Sequence, residues 1–294
     1  IHEFQSEPTA SAAVQSGDYD ILFYASPFEA NNLGSMPEFT VLALTNGAGA
    51  AADGIIFDTA NPNSPFSDLN VRKAVSYAID REAMVKSLML GFAIPSNQYV
   101  APSSPHYSPD VTSTYDLEKA KQYMAQSGYP NGFETEFIVR QGREELATAV
   151  QGYLAEIGIK VNINPLTTGA FDEYARTVNN KPWNGLIAHG FRSDPKLSLS
   201  AVGANFSEAA SLYGHHVMKI EELQQKLREL NYAVGDEEVA LSREIQKMIY
   251  EDYVLAVTFY ISSLPAVVHN SVQDTGINEE SPVRWYPEQT WLKK

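Results

Sequence analysis

Apolar and polar positions repeat with two different periods along this chain, and each change of period marks an element. Residues 19–25 (YDILFYA) and 39–45 (FTVLALT) are rich in β-formers and bounded by Gly, Pro and Asn, which predicts two strands. Beyond the second lies NGAGAAADG, which holds Gly47, Gly49 and Ala52 in a GxGxxA spacing. A dinucleotide site needs a helix directly after such glycines, to aim amide groups at pyrophosphate. Here Asp53-Gly54 leads into Ile55-Ile56-Phe57, another apolar run, so the segment is read as a hairpin. The turn-rich Asn61-Pro62-Asn63-Ser64-Pro65 then marks a first boundary. From Asp68, a suitable N-cap, apolar residues recur at helical spacing from Val71 to Met89, and Gly91 and Pro95 end the run. Asp116 opens a shorter helix that carries Ala120, Tyr123 and Met124 and stops at Gly128.

The most regular stretch follows: strand 133–139, helix 143–157, strand 159–165, helix 171–179 and strand 185–189, a βαβαβ unit. Its middle helix carries Leu146, Val150, Leu154 and Ile157 on one stripe, with Gly158 as its stop, so that face should cover a sheet. Amphipathic helices near 219–231 and 236–250, strands near 253–261 and 265–269 and a polar tail complete an α/β chain without internal repeats.

Ligands of open α/β sheets bind beyond the carboxyl ends of the strands, so chemistry is sought in the loops after the three βαβαβ strands. The first loop offers Arg140, Gln141 and Arg143; the second Thr167 and Thr168; the third His189, Phe191, Arg192, Ser193 and Asp194. These supply guanidinium groups for a carboxylate, a carboxylate for an ammonium and aromatic surface for apolar groups, a set suited to a zwitterion such as a peptide. Each would also serve as an ordinary polar loop residue.

Charge and composition narrow the class. The 294 residues carry a net charge of −15 with no cluster of Lys and Arg, which argues against nucleic acid. No cysteine is present, so disulfides, thiolate metal sites and a cysteine nucleophile are excluded. The longest apolar runs are strand-sized, and His2, Glu3 and Gln5 interrupt any apolar leader at the start, as in a mature or trimmed chain. There is no GxSxG elbow and no P-loop, and His2-Glu3 lacks the second histidine of a helical zinc site. His215 and His216 are adjacent, so their rings diverge rather than chelate one ion. Glu144-Glu145, Glu237-Glu238 and Glu279-Glu280 read as solvated helix starts or tail, and Trp183, Trp285 and Trp291 as packing elements more readily than as a pocket. Neither a cofactor nor a metal is expected.

The run from Pro65 to Arg81, PFSDLNVRKAVSYAIDR, followed by Gly91-Phe92-Ala93-Ile94-Pro95, resembles the signature of the family 5 extracellular solute-binding proteins, which serve oligopeptide, dipeptide and nickel importers. SGDYDI at 16–21, YDLEKAK at 115–121 with SGYP at 127–130, and LAEIGIKV at 154–161 fit the same family in the same order. The resemblance implies a large lobe of the type II periplasmic-binding-protein kind, with a mixed sheet, plus part of a second lobe. Residues 1–60 would be a partial first lobe, 61–262 the C-terminal α/β lobe and 263–294 a return to the first, with hinge crossings near 56–60 and 259–266. It further implies a monomeric, non-enzymatic protein, periplasmic or extracellular, with a lipid anchor on the full-length protein compatible with either. Such a protein captures a peptide or related small solute and hands it to an ATP-driven permease. In peptide-binding relatives a Gly-Trp motif followed by an acidic residue meets the ligand's amino terminus; Gly190-Phe191-Arg192-Ser193-Asp194 corresponds here, with Phe for Trp and Arg192 inserted. Arg140 or Arg143 would meet the ligand carboxylate. A nickel chelate or sugar as ligand, and a hydrolase or transferase with Asp194 and His189 as acid and base, are the alternatives.

Overall fold

A computed structural model describes residues 2–4, 6–43, 50–179, 181–193, 205–262, 265–277 and 287–293. The chain opens with α1 (Glu7–Gln15), β1 (Ile21–Leu22), α2 (Pro27–Gly34) and β2 (Phe39–Leu42). Then come β3 (Ala50–Phe57), α3 (Leu69–Ala78), α4 (Arg81–Met84), β4 (Ala93–Pro95) and α5 (Leu117–Gln126). The βαβαβ unit is β5 (Phe133–Arg140), α6 (Glu144–Ala155), β6 (Ile159–Leu166), α7 (Thr168–Ala175) and β7 (Gly185–Ser193). The remaining elements are α8 (Glu221–Leu230), α9 (Asp236–Lys247), β8 (Ala256–Ser262), β9 (Ala266–His269), β10 (Val272–Gln273) and β11 (Trp291–Leu292).

A six-stranded mixed sheet in the order β4-β8-β3-β7-β5-β6 organises most of these elements. β5 is parallel to both β6 and β7, whereas β3 is antiparallel to β7 and β8. Apolar side chains leave both faces. Phe137 and Val139 of β5 join Leu146, Val150 and Leu154 of α6 and the buried stripe of α3 on one side. Ile138 and Ile187 join Phe171 of α7, Leu223 and Leu227 of α8 and Ile245 of α9 on the other. Burial on both faces explains why β8 reads as a continuous apolar run rather than an alternating one. A second, three-stranded sheet in the order β1-β9-β2 packs on α1 and α2 around Val14, Leu33, Phe39 and Val267.

Local signals placed the regular elements well. Asp68 accepts the Asn70 N–H at 2.8 Å and Asp116 the Lys119 N–H at 2.9 Å, each capping the helix it precedes. Gly158, at φ +79, ends the turn after α6 in a conformation that suits glycine.

Four expectations need correction. The hairpin from 39–45 into 55–57 does not form, because β2 pairs with β9 while β3 lies between β7 and β8 in the other sheet. Asp53-Gly54 therefore sits inside an eight-residue strand, at an irregularity of the β3–β8 register, and not in a turn; Gly47 and Gly49 lie outside the described residues. The strand expected over 19–25 shrinks to Ile21–Leu22, since only those two residues find a partner, in β9. The helix expected from Asp68 to Met89 breaks at Ile79 and Asp80, both extended, and Asp80 recaps the chain by accepting the Ala83 N–H. The last correction concerns β7, which does not turn after His189 but continues to Ser193, because β3 pairs with it all the way from Ala50.

Candidate functional site

The parallel register brings the carboxyl ends of β5, β6 and β7 to one edge of the sheet. Arg140 pairs with Leu166 across β5 and β6, and Ile138 with Ile187 across β5 and β7. The turn after β5 is tied to the end of β6 by the Gln141 N–H, which donates to the Leu166 carbonyl at 2.9 Å. Since β3 runs opposite to β7 and β8, Asp53 from the first half of β3 and Tyr260 from the last half of β8 arrive near the same edge.

The two candidate arginines stand there, each half exposed and each already paired. Arg140 Nη2 donates to Asp172 Oδ1 at 2.9 Å, and its guanidinium lies 4.4 Å from the centre of the Phe171 ring, so α7 holds it from above. Asp172 also accepts from Arg176 Nε at 3.1 Å. Partial burial pushes the Asp172 carboxyl up, but hydrogen bonds and charges from the two arginines outweigh this and hold it below its usual value.

Arg143, the residue preceding α6, places Nη1 3.2 Å from Asp53 Oδ1, with the Tyr260 hydroxyl also beside its guanidinium. The two partners differ sharply in exposure: the Asp53 side chain is 7% exposed, that of Arg143 47%. Burial pushes the Asp53 carboxyl above its usual range, an effect that the Arg143 charge and hydrogen bonds from Arg143 and Ser262 only partly offset. The Asp53 charge in turn holds the Arg143 guanidinium higher.

The other candidates divide. Thr168 is exposed at the start of α7, where its neighbour Thr167 accepts the Ala170 N–H as cap. His189 is buried, its ring edge-on to Tyr213 at 5.1 Å, and lies beneath the edge rather than at its surface. Burial, with the nearby Arg140 charge, drives its imidazole well below the ordinary histidine value, so the ring is neutral. Phe191 and Arg192 belong to β7, opposite Ala52 and Ala51, and not to a loop. Their side chains, and all of Asp194, lie outside the described residues.

Sequence reading missed Asp53, Asp172 and Tyr260. Asp53 was read as part of a turn, and the partners of both arginines become visible only when distant strands and helices meet. Elsewhere, His216 packs on Trp183 with ring centres 4.6 Å apart and sets Nδ1 3.5 Å from Asp58 Oδ1, while His215 is exposed. Among the described residues no group of three or more His, Asp or Glu is arranged to hold a metal ion, and no helix is long and apolar enough to cross a membrane.

The fold and this edge define a lobe of the type II periplasmic-binding-protein kind. Residues 1–208 match the model of the bacterial extracellular solute-binding proteins, family 5 middle, and the chain belongs to that family. It is 29% identical to heme-binding protein A of Haemophilus influenzae over 201 residues, 65% of this chain and 36% of that protein. Over 108 residues it is 33% identical to the glutathione-binding protein GsiB of Escherichia coli K12, covering 36% of this chain and 21% of the relative. In structure it resembles the periplasmic binding protein DppA of Helicobacter pylori in complex with the peptide STSA. The TM-score is 0.80 at 22% identity, over 100% of this chain and 56% of DppA. At that identity the likeness shows the fold alone. The chain thus spans well under two thirds of the length of each of these relatives.

Proposed function

We propose that this chain forms the main ligand-holding lobe of an extracytoplasmic solute-binding protein, which captures peptides or a related small zwitterion and delivers them to an ABC permease. The carrying observation is the shared edge of β5, β6 and β7. Arg140 and Arg143 stand there half exposed, turned respectively toward α7 and toward β3 and β8. A ligand carboxylate placed between them gains charge-assisted hydrogen bonds from planar guanidinium groups. Thr168 offers a hydroxyl on the same rim. Asp194, with Phe191 and Arg192 leading toward it, is the proposed partner of the ligand ammonium. His189, buried and neutral, supports the strand beneath and is poorly suited to acid or base work in a hydrolase.

The lobe division proposed here follows the sheets. The chain passes from the three-stranded to the six-stranded sheet between Leu42 and Ala50, and returns between Ser262 and Ala266. The hinge crossings of a two-lobed protein are proposed at these two passages. We place the protein outside the cytoplasm, as a monomer that meets its permease with ligand enclosed.

The test incubates the full-length protein with an equimolar pool of synthetic tripeptides and follows both capture and integrity of the peptides. Retention without cleavage supports the reading, and Arg143→Met should weaken retention roughly 30-fold, the effect of removing one partner of a charge pair. Cleavage of the pool, or retention untouched in both Arg140→Met and Arg143→Met, would overturn it.

A further inference from the structure

The Arg143 guanidinium is proposed to receive the ligand carboxylate, yet it already has a carboxylate on it, and that carboxylate comes from a residue with no other exit. Asp53 sits inside the strand β3, 7% exposed, between β7 and β8. Its Oδ1 is the atom 3.2 Å from Arg143 Nη1, and a Cβ built on Gly190 of β7 would lie 3.6 Å from the same oxygen. The strand backbone fixes Asp53, so it cannot follow Arg143 outward. Arg143 precedes α6 and is 47% exposed, so it can swing. One half-exposed guanidinium thus stands between a fixed internal anion and the solvent-facing rim.

Resting on the reading above, we propose that Asp53 is the resident counter-ion of Arg143 and sets the affinity for acidic ligands: the ligand carboxylate takes Arg143 from Asp53, and Asp53 takes up a proton as it is left behind. The exchange breaks one ion pair and forms another, and a proton from solvent leaves Asp53 neutral rather than a buried anion without its partner. The groups facing Asp53 allow this. Arg143 comes from the β5–α6 turn, the Tyr260 and Ser262 hydroxyls from β8, and Gly190 contributes only backbone. His189, one register step along β7, packs against Tyr213, and Arg140 pairs with Asp172. Among the described residues, Arg143 is therefore the one cation in contact with Asp53, and its departure leaves a buried carboxylate whose burial already favours the protonated form.

Titration calorimetry on the full-length protein near pH 6, in phosphate and in imidazole buffers of different ionisation enthalpy, tests this with the tripeptide pool and with the same pool amidated at its C-termini. With free carboxyl ends, uptake of about half to one proton per peptide is expected. In Asp53→Asn that uptake vanishes and affinity rises on the order of tenfold, because the competing anion is gone. The amidated pool should show neither uptake nor gain. Binding of the carboxylate pool without proton uptake overturns the exchange while leaving peptide capture intact, and so does an Asp53→Asn affinity within twofold of the unmodified protein. Binding of neither pool overturns both readings. Should Asp53→Asn fail to fold, proton uptake by the unmodified protein still decides.

Discussion

Arg72 offers the sharpest test of what holds the large sheet to its helices. It lies in α3, is 2% exposed, and has no carboxylate in hydrogen-bond reach among the described residues. Instead it donates to three backbone carbonyls. Nε and Nη2 both reach Tyr253 O, at 2.9 and 2.8 Å, and Nη1 reaches Phe66 O at 2.8 Å and Ser67 O at 2.9 Å. One side chain thus joins α3 to the turn before it and to the segment entering β8, 181 residues away in sequence. Arg72→Met keeps much of the length and apolar stem but removes every donor. Three carbonyls left unmet, at about 1–3 kcal/mol each, cost roughly 3–9 kcal/mol. Against this stands relief from holding a buried guanidinium: burial lowers the Arg72 pKa from its ordinary value to about 10. That depression corresponds to ~3 kcal/mol that methionine recovers. The net expectation is a loss of ~3 kcal/mol, a decrease in the urea midpoint of about 1 M for a slope near 3 kcal/mol/M. Far-UV circular dichroism at increasing urea measures it. A midpoint unchanged within ~0.2 M would refute the reasoning, because it would mean that water or neighbouring donors satisfy those carbonyls as well as Arg72 does.

Two further outcomes follow from the same geometry. His189 is held neutral by burial, so below its unfolded value near 6.5 the unfolded chain binds a proton that the folded chain does not. Stability should therefore fall as pH drops from 6.5 toward 4.5, with a contribution from this residue of up to ~1.4 kcal/mol per pH unit that His189→Gln removes. Urea midpoints of both proteins at several pH values compare the slopes, and parallel slopes would contradict the assignment. Gly132, at φ +77, precedes β5, and a Cβ there would lie 1.9 Å from the Gly158 carbonyl oxygen in the turn before β6. Gly132→Ala should lower stability by roughly 2–4 kcal/mol and depress the melting temperature, and an unchanged melting curve would show that the two turns separate freely.

The βαβαβ unit was legible because each of its parts is specified within its own few residues. An apolar stripe at helical spacing, a cap such as Asp116 or Asp68, and a glycine such as Gly158 act through neighbours that are close in the chain, whatever the rest does. Parallel strands joined by helices must also point the same way, so the edge bearing Arg140 and Thr168 followed from the order of elements. The resemblance in Pro65–Arg81 and the later segments carried the family itself. Asp53 was misread for the complementary reason. Ala50–Gly54 has weak strand propensity and an Asp-Gly pair that ordinarily signals a turn. It becomes strand because β7, about 140 residues later, and β8, about 200 later, offer it paired backbones on both sides. By itself the sequence determined which residues are helix and strand wherever local pattern and caps agree, and hence the edge that carries the candidate arginines. Only the tertiary structure decided that Arg143 faces Asp53, Arg140 faces Asp172 and β7 runs on past His189. Those pairings depend on distances between segments far apart in the chain, which no local period encodes.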